Sequence, residues 1–309
     1  MNAPALQVHP GIHVLERGWL SSNNVLLFGD DDVAMIDSGY VSHAEQTLTL
    51  VRHVLKERGR DRLDLLLNTH LHSDHCGGNA ALQAAFASRT AIPAAEADKV
   101  RRWDEDALSY RATGQRCPRF NFDQTIGDGQ ALRLGGLDWQ ALAAPGHDPH
   151  SLIFFCPQEG ILISADALWR NGFGIIFPEL DGETGFDEAR ATLELIRTLD
   201  VKLVIPGHGA PFTEVGDALD KAFSRLDYLQ ADPLRNAHNG IKVLVKFLLL
   251  DRQRIALEEL PAIVRDTPLL RVANRRFMQM ADEELACWVV AQLERAGAAC
   301  SDGVFLLDA

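Results

Sequence analysis

The sequence predicts an α/β protein: two sheets held between helices, followed by a small, mainly helical C-terminal domain. Three observations predict it. Apolar strand patterns and helical patterns alternate through residues 1–230 in two broadly similar halves. Residues of the metal-binding and proton-carrying types stand repeatedly at the C-terminal ends of those strands: Asp37, His70 to His75, His147, Asp166 and His208. Past residue 231 the texture changes to helical patterns and a terminal hairpin, so the expected domains are 1–230 and 231–309.

In chain order, short strands are expected at 12–16, 24–28 and 33–36, with Asp30-Asp31-Asp32 as a solvated turn. The third runs into Asp37-Ser38-Gly39. Ser42 and Glu45 have capping-box spacing, and Ala44, Leu48, Val51 and Leu55 then recur at helical spacing as far as Gly59. The apolar run 63–67 leads into His70-Leu71-His72-Ser73-Asp74-His75, and a short helix is expected over 79–87. The Ala- and Arg-rich stretch 94–123 reads as an insertion, either a lid over the site or an exposed helical excursion. Strands are expected again at 137–143, 152–155, 161–164 and 203–205, with a glycine- and aromatic-rich loop at 169–177 and a helix over 187–199. Asp232-Pro233 breaks the helix before it. Helices at 241–249, 256–264 and 283–295 precede a hairpin turning at Ser301-Asp302-Gly303. Three helices and a hairpin resemble a winged-helix domain.

Composition bounds the function. A chain of 309 residues buries a sizeable core. The formal charge of −13 opposes non-specific binding to nucleic acid or anionic membrane. That charge sits in the first domain, because residues 231–309 carry 10 Lys+Arg against 11 Asp+Glu. Five scattered cysteines without a CxxC pair argue for a reducing compartment rather than a disulfide framework. Cys76, beside His75, reads as a small buried residue packing under the loop. The N-terminal stretch 1–11 lacks the pattern of a secretory leader, and no apolar run is long enough to span a bilayer. A cytoplasmic location is the expectation.

Three imidazoles and a carboxylate within six residues at a strand end gain little unless a cation sits among them. Zinc, or a pair of zincs, suits the set, with iron or manganese as alternatives. His70 and His72 point to one side of an extended segment because alternate residues do. Asp74 and His75, past the bend, reach toward a second ion. Taken singly, His208 or Asp166 would be an ordinary core histidine or a turn cap.

The order Asp37-Ser38-Gly39, His70-Leu71-His72-Ser73-Asp74-His75, Pro145-Gly146-His147, Ser164-Ala165-Asp166 and Pro206-Gly207-His208-Gly209 resembles the metallo-β-lactamase superfamily over residues 10–215. The resemblance implies a four-layer αβ/βα sandwich with the metals at one edge. It implies that His70, His72 and His147 hold the first metal and that Asp74, His75 and His208 hold the second. Asp166 would bridge the two, and Asp37 would buttress the ligand loop. The bridging acid is similar to that of the glyoxalase II, lactonase and nuclease-like branches, and disfavours antibiotic hydrolysis. The run Asp148-Pro149-His150-Ser151 departs from the Thr-x-Gly-His continuation of glyoxalase II. His150 then reads as a hydrogen-bonder at a strand start, with a substrate-facing role as the alternative.

The expected function is hydrolysis of a small-molecule thioester, lactone or ester by a metal-bridging hydroxide, with Asp74 orienting it and carrying a proton. Trp169, Phe173 and Phe177 would wall an apolar pocket, or simply pack in the core. The alternative is a metal-dependent endoribonuclease whose tail residues Arg265, Arg271, Arg275 and Arg276 grip phosphate. The net charge weighs against it, and a winged helix also serves as a dimerisation module, which would make the chain a homodimer. A non-catalytic iron redox protein ranks last, because no flavin-binding domain follows.

Overall fold

The computed structural model describes residues 8–309; residues 1–7, part of the stretch read as lacking a leader, lie outside the described residues. The first sheet has the order β1-β2-β3-β4-β5-β6: β1 Ile12–Leu15, β2 Asn24–Phe28, β3 Val33–Ile36, β4 Leu65–Leu67, β5 Arg89–Pro93 and β6 Gln124–Ile126. β1 to β3 are antiparallel, and β3 to β6 run parallel. The second sheet comprises β7 Ala131–Leu134, β8 Leu137–Ala143, β9 Leu152–Cys156, β10 Ile161–Ala165 and β11 Leu203–Pro206, in the order β11-β10-β9-β8-β7. Only β10 and β11 are parallel in it.

Strand periodicity explains the layering. Successive side chains point to opposite faces, so Val25, Leu27, Ala34 and Ile36 meet Trp139, Phe154, Ile163 and Ile205 between the sheets. The alternate residues Leu26, Val33, Met35 and Leu66 pack outward on Leu48, Val51 and Leu55 of the helix Ala44–Glu57 and Leu82 of Asn79–Phe86. On the far side, Ile153, Phe155, Leu162 and Val204 meet Leu193 and Ile196 of the helix Phe186–Thr198 and Leu219 and Leu226 of Val215–Gln230. The result is the four-layer αβ/βα sandwich. Strands buried on both faces read as continuous apolar runs, as these do.

Several local expectations are corrected. Val41–His43 forms a 3-10 turn, the helix begins at Ala44, and no side chain caps it, so Ser42 and Glu45 make no capping box. The stretch 94–123 is not a lid or excursion. Its Val100, Leu108, Tyr110, Cys117 and Phe120 bury a satellite core against Leu71 and Cys76, directly under the histidine turn. Cys76 is fully buried there, as expected.

The tail opens with a single helix, Pro233–Arg252, whose first turn is capped by Asp232 Oδ1 accepting from Leu234 N at 3.2 Å. Helices follow at Leu260–Asp266, Pro268–Ala273 and Asp282–Arg295. β12 Arg254–Ala256, β13 Ala299–Ser301 and β14 Phe305–Asp308 form a three-stranded antiparallel sheet in the order β12-β14-β13. The Asp302 turn is as expected, with Oδ1 accepting from Val304 N and Phe305 N. The tail core takes in Ile175 and Leu180 from the loop after β10. Among the described residues no helix is long and apolar enough to cross a membrane.

The site lies where the chain leaves the C-terminal ends of β3, β4, β10 and β11 and in the β8–β9 connection. Phe154, with no solvent exposure between the sheets, tests this packing: Phe154→Ala should cost about 3–5 kcal/mol in chemical unfolding, and a loss under about 1 kcal/mol would contradict a close-packed inter-sheet core.

Candidate metal centre

Asp37 anchors the site. It sits at φ 57°, a left-handed backbone region costly for a residue other than glycine. There its buried carboxylate accepts three hydrogen bonds: Oδ1 from Thr69 N at 2.9 Å, and Oδ2 from Thr69 Oγ1 at 2.8 Å and from His75 Nδ1 at 2.7 Å. A second buried network fixes the same corner. Ser38 Oγ donates to Asn79 Oδ1 at 2.7 Å, Asn79 Nδ2 donates to Asn68 Oδ1 at 2.6 Å, and Ser38 N donates to the His75 carbonyl at 2.7 Å. The packing requires glycine at 78, where a Cβ would lie 2.4 Å from the Ser38 carbonyl oxygen.

These restraints decide which imidazole nitrogens face inward. His75 gives its Nδ1 proton to Asp37, and His70 gives its own to Thr69 Oγ1 at 3.1 Å. His147 Nδ1 donates to the Ile175 carbonyl. His72 turns Nε2 toward Asp148 Oδ2, 3.6 Å away. The remaining nitrogens, His70 Nε2, His72 Nδ1 and His147 Nε2, converge at 3.1 Å and 2.8 Å, those of His70 and His147 with their ring protons turned outward. Burial and the neighbouring imidazoles hold His70 well below the usual histidine range. Burial, with His72 adding to it, brings His147 down to about 4. Lone pairs aimed at one point repel unless a cation takes the centre.

The second group is Asp74, His75, Asp166 and His208, whose donor atoms lie within 4.8 Å of one another. His208 Nε2 is 3.1 Å from Asp74 Oδ2, and His75 Nε2 is 3.5 Å from Asp166 Oδ1. His75 Nε2 is buried without a hydrogen-bond partner among the described residues. Burial favours neutral His75, yet Asp166, Asp37 and Asp74 outweigh it and raise the group well above the ordinary histidine value. A proton there does what a metal ion would do. Burial also opposes the charge on Asp166, but His75 and His208 hold its carboxyl well below the usual range.

Asp166 lies between the groups: its Oδ2 is 3.3 Å from His147 Nε2 in one, and its Oδ1 faces His75 in the other. Donors of one tetrahedral zinc stand roughly 3.3 Å apart, given zinc–ligand bonds near 2.0–2.1 Å. The donor set and its separations fit two ions. The seven residues fall into two clusters, His70, His72 and His147 in one and Asp74, His75, Asp166 and His208 in the other.

Other expected residues divide. Trp169 donates Nε1–H to Asp166 Oδ1 at 3.3 Å, and Phe177 stands edge-on to His72 and His147 with centroids 5.2 and 5.3 Å away. Phe173 is buried under Arg225, whose guanidinium carbon is 5.2 Å from its ring, and lines a small cavity with His147 and Asp166. His150 hydrogen-bonds at the strand start through its backbone rather than its imidazole. The turn is closed by Asp148 Oδ1 accepting from His150 N at 2.8 Å, while the imidazole faces Glu96 at 3.7 Å.

Sequence reasoning missed Trp19. It is 63% exposed and stacks on His208, with centroids 5.5 Å apart and planes at 15°. It also missed Asn23, whose Nδ2 donates to the carbonyls of Pro206 and Gly209 and so clamps the His208 turn. A conspicuous Trp before Ser21-Ser22-Asn23-Asn24 was the available signal.

Replacing Asp37 by Ala leaves three buried donors without an acceptor. Asp37→Ala should cost at least about 2 kcal/mol in unfolding and weaken metal binding on the order of 10–100-fold in chelator competition. Unchanged affinity would show that Asp37 does not hold the ligand turn.

Comparison with known proteins agrees with this geometry. The profile of the metallo-beta-lactamase superfamily matches residues 17–208. The "Probable metallo-hydrolase YqgX" of Bacillus subtilis (strain 168) is 29% identical over 205 residues, 64% of this chain and 89% of that protein. The hydroxyacylglutathione hydrolase GloC of Haemophilus influenzae is 27% identical over 208 residues, 62% of this chain and 88% of that protein. A solved metallo-beta-lactamase family protein of Thermus thermophilus superposes with a TM-score of 0.59 at 20% identity, covering 97% of this chain and 99% of that one, which establishes likeness of fold. The match spans well over half the chain and ends on the last of the seven donors: the chain is a hydrolase of the metallo-beta-lactamase superfamily.

Proposed function

We propose that the protein is a dinuclear, zinc-dependent hydrolase of a small thioester, lactone or ester. The superfamily binds divalent metals, typically two. The observation that carries the reading is the Asp166 carboxylate between two complete donor groups. His70, His72 and His147 would hold one ion, Asp74, His75 and His208 the other, with Asp166 shared. When bound, such a pair supplies Lewis acidity, activating water and polarising a carbonyl. Nitrogen and carboxylate donors without thiolate favour zinc and admit iron or manganese.

The chain's own groups do the rest. Asp74, whose Oδ2 lies 3.1 Å from His208 Nε2 within the donor group, would take the proton given up by the attacking water on its other oxygen, Oδ1, and pass it to the leaving group. Asp166 is oriented by the Trp169 indole. Phe177 and Trp169 exclude water and receive an apolar part of the substrate, and the exposed Trp19 extends that surface. The hydroxyacylglutathione hydrolase name of the Haemophilus relative supports a thioester within this class. The tail order of helix, strand, two helices, helix and hairpin suits a winged-helix module. It favours no ribonuclease: Arg265 is turned onto Asp266 at 3.0 Å, and the whole chain carries −13.

Purified protein should contain close to two zinc ions per chain by elemental analysis and hydrolyse at least one of a glutathione thioester, an acyl-homoserine lactone and a simple aryl ester. Fewer than about one ion per chain refutes the dinuclear reading. Asp166→Asn and His72→Ala should each lower kcat/KM on the order of 100-fold or more, equivalent to about 2.7 kcal/mol; full activity in either would refute their assigned roles. Raising salt from about 50 to about 200 mM should leave kcat/KM nearly unchanged, whereas the steep loss expected of a phosphate-gripping nuclease would favour the ribonuclease instead.

A further inference from the structure

The three-histidine group depends on a carbonyl outside the ligand motifs. Ile175 offers its backbone oxygen to His147 Nδ1, and this bond turns Nε2 inward. Gly174 lets the segment lie against the ring, because a Cβ there would come within 2.5 Å of His147 Nδ1. One side of this segment is held by the first domain, where Gly174 N donates to the Asp166 carbonyl at 2.8 Å and Ile176 packs with Phe186 and Leu193; the other side is held by the tail. The Ile175 and Leu180 side chains belong to the tail's hydrophobic core, with Ile241, Leu244 and Leu270, and Phe177 packs against the same core.

The helix Pro233–Arg252 makes the specific contacts. Asn236 Nδ2 donates to the Ile176 carbonyl at 3.0 Å, one residue from the carbonyl that orients His147. One helical turn on, Gly240 makes room for Leu180, whose Cδ1 would be 2.6 Å from a Cβ. Asn236 is 1% exposed, and its Oδ1 has no hydrogen-bond partner among the described residues. The amide thus satisfies the buried Ile176 carbonyl while its own Oδ1 stays unpaired. Farther along, Phe247 packs edge-on to Tyr40 at 5.0 Å, and Asp251 Oδ2 accepts from Tyr40 Oη at 3.2 Å. Tyr40 adjoins the Asp37-Ser38-Gly39 corner. The helix therefore touches the supports of both donor groups.

We propose that the helix Pro233–Arg252 sets the geometry of the three-histidine group, with Asn236 as a positioning residue that acts on His147 through the segment 174–177. This rests on the reading of that group as a metal site. It gives the tail a role in the chemistry of the first domain.

The test reads metal binding rather than turnover. Asn236→Leu keeps the branched shape of the side chain and removes the donor. In full-length protein, chelator competition for Zn2+ should show one of two ions bound on the order of tenfold more weakly and the other unchanged, with a shifted visible spectrum for Co2+-loaded protein. Val289→Ala, in the tail core on another helix, is the control for lost stability. Should Asn236→Leu not fold, Gly240→Ala, which displaces Leu180, takes its place. Wild-type affinity and spectrum in the variant overturn the inference, as does an equal loss in Val289→Ala. Wild-type protein that binds no ion overturns the proposed function instead.

Discussion

A carboxylate buried at the end of β3 ties the molecule's two kinds of order together. Asp37 accepts from a backbone amide, a hydroxyl and an imidazole, so the chain entering the histidine turn is fixed to the sheet before any ligand is placed. It also sets the tautomer of His75 and, through Thr69, that of His70. The inward-facing nitrogens of His70, His75 and His147 are thus consequences of outward hydrogen bonds. Such a cluster is poorly solvated and mutually repulsive by itself. A positive charge at the centre, as in the proposed function, would relieve that repulsion.

Two of the seven non-glycine residues with positive φ among the described residues lie at the same edge. Asp37 and Ala165, the latter immediately before Asp166, both have positive φ. Single residues in that region cost of order 1–3 kcal/mol, and the sandwich behind them absorbs it through a dry inter-sheet core. Glycines work where backbone meets backbone: Gly78 lies on Ser38, and Gly207 leaves room for the Asp166 carboxylate, which a Cβ would approach to 2.3 Å. Rigidity of the two sheets makes a site spread over five segments precise.

Legibility followed the range of the interactions. The run from His70 to His75 announces itself because four donors within six residues have little other use, and Asp37, His147, Asp166 and His208 were visible as polar residues ending apolar strands. β5, β6 and β7 were not visible. Arg89–Pro93 and Gln124–Ile126 are short and mixed in polarity, and parallel pairing with β4 and with each other makes them strands. The stretch 94–123 looked peripheral because its apolar residues are widely spaced; only folding places Val100, Tyr110 and Phe120 under Cys76. The orienting carbonyl of Ile175 and the clamp from Asn23 could not be read, since a backbone acceptor has no signature and Asn23 serves a turn that lies 183 residues on. Phe173 and Phe177 looked equivalent in sequence, but Phe173 is buried with the first-domain core whereas Phe177 opens a short helix and stands against His72 and His147.

The central claim is that two ions flank the Asp166 carboxylate. Anomalous diffraction from crystals of the metal-loaded protein, collected above and below the absorption edge of the bound element, tests it directly. Two peaks are predicted, one among His70, His72 and His147 and one among Asp74, His75 and His208, with Asp166 reaching both. A single peak, or peaks away from these donors, would contradict the account.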